Sequence, residues 1–276
     1  MKCKITDEKL NPFMSFGKMP SANGFLDKED FDKEFFYEME VGFSKKISLL
    51  QLNEFSHPEK VHNERYPFYT SSSLNMKRHF QSFAHWMRDK YLGSGSKLVE
   101  VGSNDGTLLE NFKDKNIEAI GFEPSKSIAE LANKKNIKTL NKFFNSENIL
   151  DIKNFHYSVD VICSANVIAH IPDLKDVIKS VDKLLSSKGL LIFEEPYLGS
   201  MFSKVSYDQI YDEHIFMFSV SSIKKIFDLF DFELIDILPQ ITHGGSMRYV
   251  IGRKNKYKKS EIISKIIDDE QIKELD

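Results

Sequence analysis

With only Cys3 and Cys163 in 276 residues, a disulfide framework is ruled out and too few thiols remain for a cysteine-only zinc site. A basic excess is missing as well. The 38 Lys and Arg stand against 41 Asp and Glu with the signs interspersed, so no basic face advertises nucleic acid. No window approaches the roughly 18 uninterrupted apolar residues of a membrane span. Residues Met1 to Glu8 lack the apolar core of a signal peptide, so a cytoplasmic protein with no membrane partner is expected. Internal repeats and low-complexity tracts are also lacking. What remains is a chain that is 41% hydrophobic and 29% charged, long enough for one large domain or a large and a small one. Its substrate is expected to be a small molecule met in a pocket.

Glycine is sparse, yet two of the 13 fall in one stretch, Glu100-Val101-Gly102-Ser103-Asn104-Asp105-Gly106. The apolar strand from Lys97 runs into this turn, and a helix is expected to start at Thr107-Leu108-Leu109. A second strand, Ala119-Ile120-Gly121-Phe122, ends at Glu123-Pro124. Strand, small-residue turn, helix and a strand closing on a carboxylate make a nucleoside-binding βαβ unit, because glycines admit a ligand to the backbone and a terminal Glu accepts both ribose hydroxyls. The turn lacks the G-x-G-x-x-G spacing of a pyrophosphate cradle and sets Asp105 where a phosphate needs bare amides. The pattern points away from a dinucleotide and toward S-adenosylmethionine, which has no phosphate and carries a cationic amino acid end.

Residues 1–72 read as a small strand-and-loop region, with strands in Phe35–Val41 and Ile47–Leu52 joined through Gly42–Lys46. Apolar residues at helical spacing predict a helix from Leu74 to about Tyr91, with Ser72 or Ser73 as its cap. Residues 73–255 then alternate strand and helix. Helices are expected at Ser125 to about Lys135, Leu174–Leu185 (ended by Ser186–Gly189) and Val220–Phe230. Strands are expected near Ile137–Leu140, Val159–Ser164 and Leu190–Glu194, with Glu233–Leu238 and Met247–Ile251 as a closing antiparallel hairpin. This order implies an α/β, doubly wound, Rossmann-like sheet. Residues 256–276 begin a helical tail at Ser260, either a docking element or the start of something cut away.

In such a sheet, ligands bind beyond the carboxyl ends of the strands. The run Tyr211-Asp212-Glu213-His214 places a phenol, two carboxylates and an imidazole together, a grouping suited to proton transfer near neutral pH. Tyr211 or Tyr66 is positioned to donate to an oxyanion. His170 either caps the helix after it or belongs to the ligand edge. His243-Gly244-Gly245-Ser246-Met247-Arg248 is either a plain hairpin turn or a site for a phosphate or sugar hydroxyl. The stretch Tyr66–Ser73 is aromatic packing or a lid.

Together these segments, with Ala165-Asn166-Val167-Ile168-Ala169-His170-Ile171-Pro172 and Glu195-Pro196-Tyr197-Leu198-Gly199, resemble the sugar C-methyltransferases of deoxysugar biosynthesis. The resemblance covers nearly the whole chain. It implies a class I methyltransferase fold and S-adenosylmethionine as cofactor, on Gly102, Asn104, Asp105, Glu123, Pro124, Phe144, Asn145, Ala165 and Asn166. It also implies a nucleotide-linked keto-deoxysugar, deprotonated next to its ketone and methylated at carbon. His214 would be the base, supported by Glu213, with Tyr211, Tyr66 and His170 at the sugar or its enolate oxygen. Tyr69, Glu195, Tyr197, His243 and Arg248 are the candidates for substrate contact.

Two departures from that family bear on the acceptor. The family's N-terminal domain holds zinc with two C-x-x-C pairs, and here only Cys3 survives, so no metal is expected and packing must replace it. The family also continues into a second Rossmann-like domain near where this sequence stops. These departures motivate O-methylation of a capsule or antigen sugar intermediate as the alternative. A catalytically idle nucleoside-binding module is a third reading, which the retention of Asp105, Glu123, His170, Glu213 and His214 argues against. The sugar, the methylated atom and the oligomeric state are not written in the sequence.

Overall fold

A computed structural model describes residues 1–61, 66–113 and 115–276. In chain order the elements are β1 (Pro12–Pro20), β2 (Phe36–Ser44), β3 (Leu49–Leu52), α1 (Pro58–Val61), α2 (Leu74–Tyr91), β4 (Lys97–Val101), β5 (Glu118–Phe122), α3 (Lys126–Lys134), β6 (Thr139–Leu140), β7 (Val159–Ala165) and α4 (Leu174–Leu184). They continue with β8 (Leu185–Pro196), α5 (Leu198–Lys204), β9 (Phe216–Met217), α6 (Val220–Asp228), β10 (Phe232–Gln240), β11 (Ser246–Arg253) and α7 (Ile262–Ile272). The fold is α/β with a mixed central sheet. Two compact units divide it. The first holds Met1–Val61, Asn166–Leu174 and Phe193–Asp276, and the second His62–Ala165 and Lys175–Ile192.

The second unit contains the strand order β8-β7-β4-β5-β6. β4 pairs in parallel with both β5 and β7, and β5 with β6. The chain moves outward from β4 through β5 to β6, then returns to β7 on the other side of β4. That reversal is a topological switch point, the place where open parallel sheets bind ligands. Leu98, Val99, Val101, Ile120, Phe122, Val161 and Ile162 are buried. Their strands are near-continuous apolar runs, as expected when both faces of a parallel sheet are covered. Helix α2 buries Phe80, Phe83, Ala84 and Met87, and its cap is Ser73, whose hydroxyl accepts the Met76 N–H at 3.3 Å.

Two expectations in this unit are corrected. The helix foreseen at Thr107 is one 3-10 turn, Leu109–Phe112. The Asn111 side-chain amide donates to the carbonyls of Thr107 and Leu108, both at 3.0 Å, and so takes acceptors that a longer helix would need. Ser186–Gly189, read as a helix stop, lies inside β8. Gly189 fits there because a Cβ would fall 2.5 Å from the Val159 carbonyl oxygen.

The first unit carries a four-stranded sheet in the order β1-β2-β3-β9. The prolines and glycine of residues 12–20 read as turn formers, yet they form β1, paired antiparallel with β2 through two register shifts. β1 is an edge strand of this sheet, a position that tolerates proline. β9 joins from far along the chain, pairing Leu50 with Met217 and Gln51 with Phe216. Tyr37, Met39, Val41, Leu50, Leu52, Leu198, Met201 and Met217 pack as one buried cluster. Residues 1–61 therefore share a body with residues that follow β8 rather than standing alone.

The remainder of this unit is the β10-β11 antiparallel hairpin, with α6 and α7. A capping box between Ser219 and Ser222 starts α6. The tail is docked: Glu270 of α7 is fully buried and accepts from Val220 N, Ser221 N and the Tyr197 hydroxyl at 2.7, 2.8 and 2.8 Å. Among the described residues, no helix is long and apolar enough to cross a membrane.

Candidate functional site

In the second unit, the glycine turn lies at the carboxyl end of β4. Gly102 and Asn104 have φ of +69° and +48°, which turn the backbone back on itself. Glu123, at the end of β5, accepts the Asn104 N–H on Oε2 at 3.1 Å and the Ser125 N–H on Oε1 at 2.7 Å. Burial pushes its carboxyl above the ordinary value, against the pull of those two amides. Asn104 also ties down the preceding segment, its Oδ1 accepting the Thr70 N–H at 2.9 Å and its Nδ2 donating to the Phe68 carbonyl at 3.1 Å. The stretch read as packing or lid is thus fastened to the turn, with Tyr66 and Tyr69 on it.

Asp105 faces inward. Its carboxylate accepts from the Thr107 hydroxyl at 2.6 Å and the Ser71 N–H at 3.2 Å, and it pairs with Lys135 at 3.6 Å. Burial raises its pKa, but these donors and the ammonium outweigh burial and hold it below the ordinary carboxylate value. Phe144 is buried edge-on against Phe122, with centroids 5.3 Å apart, and the Asn145 side chain accepts the Asn148 N–H at 2.8 Å. Pro124 directly follows Glu123, and Ala165 ends β7.

Sequence reasoning missed Glu100. Buried in β4, it is pushed well above the ordinary value by burial first and then by Glu123 and Asp105. An acid inside the run Leu98-Val99-Glu100-Val101 was the available signal. The donor set fits S-adenosylmethionine. Acidic Asp105 and Glu123 stand at the ends of β4 and β5, where a pyrophosphate would need bare amides, and both Glu123 oxygens retain a lone pair for ribose hydroxyls.

The first unit gathers the proton-transfer candidates. His214 is buried, and its Nδ1 lies 2.7 Å from the Gln209 carbonyl. A carbonyl only accepts, so Nδ1 carries the proton and Nε2 is left as the basic nitrogen, 3.4 Å from the Tyr211 hydroxyl. Burial, with a smaller contribution from His243, lowers His214 to about 4 against the pull of Gln209. The His170 ring centroid is 5.2 Å from that of His214, and its Nδ1 is 3.7 Å from Glu213 Oε2. Glu213 also accepts from the Asn23 side chain. The sequence paired Glu213 with His214, but Glu213 serves His170, and His214 is oriented by a backbone carbonyl instead. Burial raises the Glu213 carboxyl and the Tyr211 phenol.

Other candidates in this unit hold internal partners. The Tyr197 hydroxyl donates to Glu270, and Arg248 makes a buried ion pair with Glu194. Glu195 Oε1 accepts from Val167 N at 3.0 Å and Ala169 N at 3.2 Å, in the turn that carries His170. Asn166 opens that turn at φ +57°. His243 is exposed in the β10-β11 turn, at φ +49°.

The N-terminal turn does not fit a zinc ion. Cys3 Sγ accepts the Thr6 N–H at 3.4 Å, Ser44 bonds to Glu8, and Ile47, three residues after Ser44, is buried. Among the described residues no group of three or more His, Cys, Asp or Glu is arranged to hold a metal.

Residues 74–237 match the family described as "Methyltransferase domain", and the chain belongs to that family. Its switch-point sheet is the class I methyltransferase fold, the class whose methyl donor is S-adenosylmethionine. Residues 3–62 match "Putative zinc binding domain". The chain is 28% identical over 236 residues to the C-methyltransferase NovU of Streptomyces niveus, covering 85% of this chain but only 56% of that relative's length. The same fold occurs in the PH0226 protein of Pyrococcus horikoshii OT3 (TM-score 0.54, 12% identity, 68% of this chain and 95% of that one). It occurs too in magnesium protoporphyrin IX methyltransferase of Synechocystis PCC 6803 with bound SAH (TM-score 0.50, 14% identity, 64% and 83%).

Proposed function

We propose that this chain uses S-adenosylmethionine to methylate a carbon of a nucleotide-linked keto-deoxysugar through an enolate. The observation that carries this reading is the buried His214, held with Nδ1 on the Gln209 carbonyl and Nε2 toward Tyr211. An imidazole fixed in that tautomer is neutral at physiological pH and accepts a proton at one atom, as removal of an acidic C–H beside a ketone requires. Tyr211, its phenol kept protonated by burial, donates to the oxygen that becomes negative. His170, paired with Glu213, is a second donor on the same unit.

A hydroxyl acceptor needs a base alone. Donors for a developing oxyanion therefore favour carbon over O-methylation, and the similarity to a C-methyltransferase agrees. Bound S-adenosylmethionine supplies a methyl group on a sulfonium. For its binding we assign Glu123 to the ribose and the Gly102–Asn104 turn to the amino acid end, with Phe144 and Asn145 at the base, while Asp105 braces the turn. Tyr66 and Tyr69 remain candidates for the sugar, and Tyr197 and Arg248 act as framework. Both small molecules are cytoplasmic metabolites, so the same reading places the enzyme there.

The test supplies labelled S-adenosylmethionine and a panel of nucleotide-linked 4-keto-6-deoxysugars, following label on carbon and deuterium uptake from solvent at the acceptor carbon. His214→Ala is expected to lower both by about 10²–10⁴-fold while cofactor binding persists. Turnover of a sugar without a ketone, with no exchange of a carbon-bound proton, would overturn the enolate and establish the oxygen acceptor.

A further inference from the structure

Two consecutive acids end β8, and the first unit treats them differently. Glu194 is matched by a cation, with Arg248 Nε at 2.6 Å from its Oε1 in a pair where both side chains are buried. Glu195 is fully buried and is matched by two backbone amides, both on Oε1. Among the described residues, Oε2 has no hydrogen-bond partner. An ionised carboxylate shares its charge over both oxygens, and a bare, buried oxygen carrying half of it would cost several kcal/mol. A carboxylic acid suits this asymmetry better: its carbonyl oxygen accepts the amides, and an unpaired neutral O–H on the other oxygen costs less in a buried site than half a negative charge.

We infer that Glu195 is a positioning residue that works as an uncharged carboxylic acid, its proton on Oε2 and its Oε1 holding the turn that carries His170. This rests on the methyl-transfer reading only for its effect on rate. The surrounding ionisable groups agree. Glu194 and Tyr197 lie on its own segment, and Tyr211 precedes β9. Arg248, the cation on β11, is engaged by Glu194, while Tyr249 and the α7 acid Glu270 add no positive charge. His170 faces Glu213. Burial, against the amides of the turn at residues 167–169, carries Glu195 up to about 8.

A neutral acid is also what the neighbouring base needs. An extra buried negative charge under the turn of His170, whose ring meets that of His214, would favour protonated imidazole and take the base out of its working state. As pH rises through about 8 the acid must ionise in place, and the turn then opens to water or the site acquires that charge.

Glu195→Gln mimics the proposed state, since its carbonyl accepts both amides and its NH₂ occupies the place of the hydroxyl. Glu195→Ala removes both. Isotope-edited infrared spectra of the whole chain at pH 7 should show protonated carboxyl intensity from which Glu195→Gln removes one component, the one that titrates near pH 8, and leaves that of Glu100. The folded pKa lies above the unfolded one, so the wild type loses stability relative to Glu195→Gln as pH rises from 4.5 to about 8, and the difference in melting temperature should widen over that window. In methyl transfer, Glu195→Gln should stay within about threefold of wild type at pH 7 and lack the alkaline fall, while Glu195→Ala should lose about tenfold or more. An ionised Glu195 at pH 7, or a melting difference that does not change with pH, overturns the inference. Absence of turnover by the wild type on every keto-sugar would defeat the function but leave the infrared and melting results to decide this proposal.

Discussion

Asp105 in the second unit and Glu195 in the first are both almost completely buried, at 1% and 0% exposure, yet their carboxyls move in opposite directions. Asp105 has donors on both oxygens, a hydroxyl on one and an amide with an ammonium on the other. Glu195 has two amides on one oxygen, and the cation its strand attracts goes to Glu194. Burial alone therefore does not decide ionisation; the number and distribution of donors does. The consequence is functional. The second unit uses a fixed charge at Asp105 to hold the shape of a loop, whereas the first keeps Glu195, Tyr211 and His214 neutral beside the buried ion pair of Arg248 with Glu194.

The largest way to break this comparison is to remove the fixed charge. Asp105→Ala frees the Ser71 amide and the Thr107 hydroxyl and leaves both without their acceptor. A loss of about 3 kcal/mol is expected, given roughly 1.5–3 kcal/mol for a hydrogen bond to a charged group and the further cost of stranded donors. Urea unfolding at pH 7 measures it. A loss below about 1 kcal/mol would mean that the loop keeps its shape without the charge.

Much of the second unit was legible because its signals are local. The apolar run of β4, the glycine turn and Glu123 lie within a few tens of residues, and the spacing of Phe80, Phe83, Ala84 and Met87 identifies α2 unaided. The first unit was less legible because it is stitched from distant segments. β1 reads as turns until β2 pairs with it, and β9 is two residues whose strand character comes from β3. The orienting partner of His214 was invisible for another reason. It is a backbone carbonyl, that of Gln209, and carbonyls carry no residue signature. Glu213 stood next to His214 in sequence but turned to His170 in space, because adjacent side chains on a turning backbone point apart. Ionisation states were out of reach, since Glu194 and Glu195 are the same residue type until Arg248 arrives from β11.

A second prediction sharpens the contrast within the first unit, where the acid and the base respond to pH with opposite signs. His214 is lowered from 6.5 to about 4 in the folded state, so the unfolded chain binds the extra proton between those values. Its contribution to stability is fully present above 6.5 and is lost as pH falls through about 4, amounting to about 3 kcal/mol at most. His214→Gln cannot take up that proton. The difference in unfolding free energy between wild type and variant should shrink, or reverse, between pH 7 and pH 4. A difference that is constant over this range would show His214 to be solvated, and the neutral-base reading would fail with it.

The smallest effect tests what keeps Asp105 charged. Lys135 lies 3.6 Å from the carboxylate but its side chain is 36% exposed, so solvent screens the pair and a contribution below about 1 kcal/mol is expected. Lys135→Met retains the aliphatic stem and removes the charge. Because Ser71 and Thr107 still occupy the two oxygens, Asp105 should stay ionised at pH 7, with a slightly higher pKa and a stability loss that diminishes in high salt. Carboxyl chemical shifts followed through an acid titration report that pKa directly. A rise that left Asp105 neutral at pH 7 would show the ammonium, rather than the distribution of hydrogen-bond donors, to be what separates the two acids.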